Sequence, residues 1–323
     1  MRRQFLALAG IDPYPGTLNL VLDDAAQRQR WRDWCATPGL RMVAEPAFCS
    51  ARCYPVLFER RIPAAVVLPE IAGYPPDKLE IVAALPLRQH LSLPEGARVA
   101  VELCRSIPVK AVLFDIDGTL VDSVTAYVEM ARLAARPHGF DVTEAQVRHA
   151  LATGAHFWKQ VVPADRDDAK ALMRAMSEHA IRVWPQVLRE HARLFDGLAD
   201  TIETLHRQGI RLGIVSGAPP EVLELLRAAG LLDRFGAIVL GGDVSRRKPD
   251  PEGILKCLDL LGVAAADAVY VGDAAVDIQA SRAAGVGAIG VLTGAADSAM
   301  MTALEPDRLL YSHAGLTAAV TLA

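Results

Sequence analysis

The sequence predicts an α/β protein: a doubly wound parallel sheet carrying a helical cap, preceded by a small N-terminal β-barrel domain. Three observations carry that expectation. From residue 109 onward, short apolar runs alternate with amphipathic helical patterns, the signature of βαβ units. A mainly helical stretch, residues 124–194, separates the first two of those runs and far exceeds the dozen or so residues that a crossover needs. Before residue 106 the texture differs, with short β-like runs set between Pro- and Gly-rich turns.

In the first region the strand candidates are 17–22, 54–58, 64–68, 79–83 and 99–103. Pro15-Gly16, Tyr74-Pro75-Pro76-Asp77 and Pro94-Glu95-Gly96 punctuate them as turns. Only 25–35 reads as a helix. The boundary falls near 105–108, which gives a domain at 1–106 and a second at 107–323.

The second region offers strands at 111–114, 212–215, 237–240, 268–271 and 287–291, and helices at 219–229, 250–261 and 277–284. Continuous apolar strands of this kind are buried on both faces. The first ends abruptly in Asp115-Ile116-Asp117-Gly118-Thr119. Two carboxylates at the end of a buried strand repel each other and are costly to desolvate. A divalent cation removes that cost, and an Asp beside one can act as a nucleophile. Ligands of doubly wound folds collect at this end of the strands. Gly118 and Thr119 offer backbone N–H groups to phosphate oxygens.

The later strands end in the same way: Ser216-Gly217, then Lys248 in an Arg-Lys-Pro-Asp-Pro run, then Asp273 with Asp277 four residues on. Singly, each has an ordinary reading as a helix cap, a solvated lysine or an exposed helix residue. In this order after Asp-x-Asp-Gly they read as one site.

Composition narrows the function. The 323 residues carry 34 basic and 38 acidic side chains, a balance that gives no support to nucleic-acid binding. No apolar stretch reaches the roughly 18 residues of a membrane span. The run after Arg2-Arg3 is too short for a secretory segment. Five cysteines without metal-type spacing read as reduced thiols of a cytoplasmic protein.

Residues 109–300 resemble the haloacid dehalogenase superfamily of aspartate-nucleophile phosphatases, with its four motifs in order. The resemblance implies a Mg²⁺-dependent phosphomonoesterase acting on a small phosphate ester. Asp115 would attack phosphorus and form an aspartyl-phosphate. Asp117 would protonate the leaving alkoxide and then deprotonate water. Ser216 would hold phosphoryl oxygens, with Gly118, Thr119, Gly217 and Lys248 completing the phosphate site. Asp273, with Asp277, would bind Mg²⁺ alongside Asp115 and the carbonyl of Asp117. A halide needs no proton to leave, so Asp117 points to a phosphatase over a dehalogenase. A phosphomutase stays open.

The insert sits where the C1-type cap of the phosphoglycolate phosphatase and β-phosphoglucomutase branch sits. His156 or Lys159 could reach substrate from it; alternatively Phe157 and Trp158 pack helices and Lys159 is solvated. Phosphoglycolate, sugar phosphates and a phosphorylated ribityl precursor of riboflavin are the substrate candidates.

Residues 5–104 resemble the CTP-dependent riboflavin kinase family, a small β-barrel, through Pro15-Gly16-Thr17-Leu18-Asn19, Leu68-Pro69-Glu70, Tyr74-Pro75 with 79–83, and Leu87-Arg88. The resemblance implies Mg²⁺ at Thr17 and Asn19, flavin at Glu80 and nucleotide at Arg88. The family's glycine-rich first strand has no counterpart here, and Ala72 replaces a flavin-contacting Thr. The expectation is a degenerate kinase retained as a flavin- or ligand-binding module, with a bifunctional enzyme as the alternative.

Overall fold

The computed structural model describes residues 1–37, 39–46 and 48–323. They form two compact units: Met1–Ile107 with Leu309–Thr321, and Pro108–Arg308 with Leu322–Ala323. Among the described residues, no helix is long and apolar enough to cross a membrane. Among the described residues no disulfide joins any of the five cysteines.

The first unit contains α1 (Arg2–Ala9), β1 (Leu18–Val21), α2 (Ala25–Ala36), β2 (Leu40–Met42), β3 (Ala51–Phe58), β4 (Ile62–Pro69), β5 (Lys78–Ala83), α3 (Leu87–His90) and β6 (Val101–Leu103). The strands form an antiparallel sheet in the order β1-β5-β4-β3-β2. The long β3 serves two partners on one side: Ala51–Cys53 pair with β2 and Val56–Phe58 with β6. Among the described residues no pairing joins β1 to β2 or β6. The sheet is therefore an open half-barrel, where the sequence suggested a closed one. The end strands are only three or four residues long, and Val21 on the β1 edge is 72% exposed.

Strand alternation builds two cores. Tyr54, Val56, Phe58, Val66 and Ile81 pack with Trp31 of α2 on one face. Ala51, Cys53, Ala65 and Val82 pack with Phe5 and Ile11 on the other. The helix α1 was not expected; it is closed by Gly10, whose positive φ of 67° lets its N–H reach Leu6. Tyr311, from the returning segment, joins the same core.

β7 (Ile107–Val109) spans the boundary, and the second unit goes on with β8 (Ala111–Phe114) and β9 (Val121–Asp122). The cap helices follow: α4 (Val124–Ala135), α5 (Glu144–Thr153) and α6 (Ala169–His191). Then come β10 (Arg193–Leu194), α7 (Leu198–Arg207), β11 (Arg211–Val215), α8 (Leu223–Ala228), β12 (Phe235–Val239), α9 (Glu252–Leu261), β13 (Ala268–Gly272), α10 (Ala275–Ala284) and β14 (Gly287–Val291). Five strands run parallel in the order β12-β11-β8-β13-β14. The order reverses at β8, so the crevice beyond its carboxyl end is the ligand position of such a sheet.

The cap helices share a core of Val128, Ala131, Val147, Trp158, Met176 and Ala180. β9 and β10 pair antiparallel and tie the two ends of the insert together. The expected helix at 219–229 is split into a 3₁₀ turn at Pro220–Val222 and α8, because Pro219 and Pro220 supply no N–H. Helix α10 starts two residues before the expected position, and this places Asp277 in its first turn.

Candidate active site

Strand β8 delivers Asp115 to the crevice, and the Asp115 N–H continues the ladder by donating to Val271 O. The chain then turns sharply. Ile116 O accepts from the N–H groups of Thr119, Leu120 and Val121, and Gly118, at a positive φ of 75°, donates its N–H to Val121 O. The Gly118 and Thr119 N–H groups are therefore spent within the turn and are not offered to phosphate, contrary to the expectation from sequence. A side chain at Gly118 would strike the Asp273 carboxylate, and one at Gly294 would strike it too. Both glycines are thus required by the close approach of backbone to that carboxylate.

Asp115, Asp117, Gly118, Ser216, Gly217, Lys248, Asp273 and Asp277 line one cavity of about 160 Å³. Thr119 is fully buried behind it, with Oγ1 at 3.4 Å from Asp273 Oδ1. The structure thus brings together the residues singled out around the four strand ends. Lys248 Nζ donates to Asp115 Oδ1 at 2.8 Å and to Asp277 Oδ1 at 2.6 Å. Its third bond, 2.9 Å, goes to Tyr270 Oη, which donates to Val215 O at 2.6 Å. Asp277 Oδ2 accepts from Ala274 N, and Asp273 Oδ2 from Ala295 N. Ser216 Oγ accepts from Ala218 N at 3.2 Å.

Oxygens of Asp115, Asp273 and Asp277 all lie within 4.8 Å of one another, and all three residues are buried. Burial, then the charges of Asp277 and Asp115, pushes the Asp273 carboxyl well above the usual range. Burial also raises Asp277, against the pull of Lys248. Burial alone disfavours a charged lysine, but Asp115 and Asp277 outweigh it and hold Lys248 well above its usual value. Three buried carboxylates facing one ammonium are short of positive charge. A compact cluster of hard oxygens fits a Mg²⁺ ion, which would relieve that shortage. The Asp117 carboxylate stands outside the cluster. Burial, then the Asp115 charge, pushes it up to about 6.

Four contributors escaped the sequence reading. Tyr127, in α4, donates to Asp117 Oδ2 at 2.9 Å, and burial keeps its phenol protonated. Tyr270 anchors Lys248; a tyrosine inside a fully buried strand must find a polar partner, and that was the available signal. Thr293 Oγ1 donates to Gly118 O at 2.6 Å, and Ala295 caps Asp273, so the loop after β14 closes the site. His156 and Lys159 do not line the cavity and are exposed. Trp158 and Phe157 instead pack the cap, rings 4.7 Å apart.

In the first unit, Asn19 lies opposite Glu80 across the β1–β5 pair, and Thr17 Oγ1 is 3.5 Å from Asn19 Oδ1. Glu80 is paired with Lys78 at 2.7 Å. Arg88 is exposed in α3. A second cavity of about 320 Å³ in this unit, lined by Trp31, Arg52, Glu70 and Tyr74, contains none of these four residues.

Residues 112–291 match the haloacid dehalogenase-like hydrolase model. The chain belongs to that family. It is 32% identical over 235 residues to a phosphoglycolate phosphatase of Salmonella paratyphi A, covering 66% of this chain and 93% of that protein. A phosphoglycolate phosphatase of Xanthomonas campestris is 34% identical over 187 residues, covering 57% and 84%. A solved haloacid dehalogenase-like hydrolase from Bacteroides fragilis superposes with a TM-score of 0.55 at 30% identity, covering 63% of this chain and 97% of its own. Residues 1–103 match the CTP-dependent riboflavin kinase model, described as domain of unknown function DUF120. The haloacid dehalogenase-like hydrolase is thus fused to a riboflavin-kinase-like unit.

Proposed function

We propose that the acidic cavity is where this phosphoric monoester hydrolase cleaves a small phosphate ester, with Asp115 as nucleophile. The observation that carries the reading is the Lys248 bridge between Asp115 and Asp277 beside Asp273. It sets a carboxylate suited to attack, a fixed cation and a hard-oxygen ligand set around one cavity. Asp115, Asp273 and Asp277, with the carbonyl of Asp117, would hold Mg²⁺. When bound, the metal supplies charge that offsets a dianionic substrate.

The chain's own residues do the rest. Lys248 fixes the Asp115 oxygen and faces the phosphoryl group with positive charge. Ser216 and the N–H group at Gly217 hold the phosphoryl oxygens. Asp115 attacks phosphorus as the ester bond breaks, and Asp117 gives its proton to the departing alkoxide. Asp117 then takes a proton from water, whose oxygen displaces Asp115 from phosphorus.

The test is an acid quench with ³²P-labelled substrate. A base-labile phosphoryl group should appear on Asp115 and be absent from Asp115→Asn. Phosphoglycolate and a ribityl pyrimidine phosphate, compared by kcat/KM, address the substrate. Inorganic phosphate should accumulate with Mg²⁺; an isomerised sugar phosphate without it would make the enzyme a mutase.

For the first unit, the Asn19–Glu80 register with Thr17 alongside favours a flavin- or nucleotide-binding module. Titration of the full chain with riboflavin, FMN and CTP tests it. Robust CTP-dependent FMN formation would make the protein bifunctional.

A further inference from the structure

We infer that Tyr127 is a positioning residue through which the cap sets the acid–base group: its phenol holds one oxygen of Asp117 and leaves the other to serve the reaction. The inference rests on the phosphomonoesterase reading above.

Three cap residues line the cavity, Val124, Tyr127 and Leu151, and only Tyr127 carries a polar group. Its hydroxyl donates to Asp117 Oδ2 at 2.9 Å. Its ring lies against Trp184 of α6, with centroids 4.6 Å apart. Two cap helices therefore hold the ring, while the hydroxyl engages a residue just past the end of the central strand. Among the described residues Asp117 Oδ1 is buried and makes no hydrogen bond, although the Ser123 hydroxyl, itself buried and unbonded, lies near enough to pull the Asp117 carboxyl down. An orphaned carboxyl oxygen in the wall of a cavity is costly unless a ligand or water meets it.

The direction of the Tyr127 bond assigns the proton. Oδ2 accepts, so the proton of the neutral acid sits on Oδ1. In the first half-reaction Asp115 bonds to phosphorus, the ester P–O bond breaks, and Oδ1 gives its proton to the departing oxygen. In the second, Oδ1 takes a proton from water as the water oxygen bonds to phosphorus and the aspartyl bond breaks. A phenol can donate to Oδ2 in both states, so the carboxyl keeps one orientation through the cycle. Without that bond the carboxyl samples rotamers, and only some present Oδ1 to the leaving group.

The ordinary alternative is that Tyr127 only fills space beside Trp184. Tyr127→Phe keeps the ring and removes the hydroxyl. Two substrates are compared: phosphoglycolate, whose alkoxide needs a proton, and p-nitrophenyl phosphate, whose phenolate does not. We expect kcat on phosphoglycolate to fall about 10- to 100-fold, a fraction of a full acid–base contribution. The alkyl-to-aryl activity ratio should fall at least about tenfold, with KM changed less than about threefold. In an Asp117→Asn background the same substitution should cost less than about twofold, because the two act as a unit. Equal losses on both substrates, an effect confined to KM, or full additivity with Asp117→Asn would overturn the assignment. Asp115→Asn is run beside them: if it retains p-nitrophenyl phosphate hydrolysis, the reading of Asp115 as nucleophile fails, whatever Tyr127 does.

Discussion

The two candidate sites of this chain are written in similar residue types but differ in burial. In the second unit, Asp115, Asp273 and Asp277 are 7%, 4% and 0% exposed, and Asp115 and Asp277 share one lysine. In the first, Thr17, Asn19 and Arg88 are exposed, and Glu80 is already paired with Lys78. Buried like charges are expensive, and a fold keeps them only where something else supplies the missing charge. Exposed polar groups cost nothing, so their presence carries little information. A motif is therefore strong evidence of chemistry in proportion to what it costs the folded state.

The largest expected effect tests the expensive site. Asp115→Asn should lower phosphate release by at least about 10³-fold, as loss of a nucleophile does. The amide keeps the shape and can still accept from Lys248, so circular dichroism should be unchanged. Retention of more than a few per cent of activity would show that the buried cluster is structural. Next in size is Asp273→Ala. It should raise the Mg²⁺ concentration for half-maximal activity at least about tenfold. An unchanged Mg²⁺ titration would remove Asp273 from the metal set and reduce the contrast between the sites.

Much of the second site was legible because strand ends are readable. Apolar runs at 111–114 and 287–291 coincide with β8 and β14, and the polar residues that follow β8, β11 and β13, namely Asp115, Ser216 and Asp273, line the cavity. What stayed hidden was everything that depends on tertiary contact. Tyr127 reads as an ordinary residue of an amphipathic helix until α4 is brought against Asp117. Gly294 and Ala295 follow a strand with no charge to mark them. In the first unit the strands were legible but their closure was not, because barrel or open sheet depends on pairing between short end strands. The helix α1 was missed because eight residues give too few turns for a clear period.

A third prediction uses the electrostatic cost directly. Asp117 holds its proton more tightly in the folded state, moving from its usual 3.8 to about 6. The contribution of Asp117 to the stability of the metal-free protein is therefore fullest below 3.8 and is lost as pH rises through about 6, where the buried carboxyl must ionise. Asp273 and Asp277 are raised by the same burial and extend the loss upward. A cation that neutralises the cluster should matter most where the carboxylates are charged. Millimolar Mg²⁺ is expected to raise Tm by on the order of 5 °C at pH 7.5 and by less than about 2 °C at pH 5. The reverse order would mean that the cluster is protonated through the working range.

The smallest expected effect lies in the first unit and sharpens the comparison from the other side. Thr17→Ala and Asn19→Ala remove exposed groups whose one shared contact is 3.5 Å long. Surface substitutions of this kind cost within about 0.5 kcal/mol of stability. They should change kcat/KM for phosphate-ester hydrolysis by less than about twofold, since neither residue lines the acidic cavity. If the first unit keeps a flavin or nucleotide site, the same variants should weaken its binding of riboflavin, FMN or CTP while hydrolysis is untouched. Glu80→Gln separates charge from shape there. Glu80 lies opposite Asn19 and is paired with Lys78, so loss of its charge frees that lysine without altering β5. Binding weakened by all three variants would give the inexpensive motif a function that its burial does not reveal. Binding unaffected by any of them would mean that the Pro-Gly-Thr-Leu-Asn motif persists here as a turn and an edge strand alone.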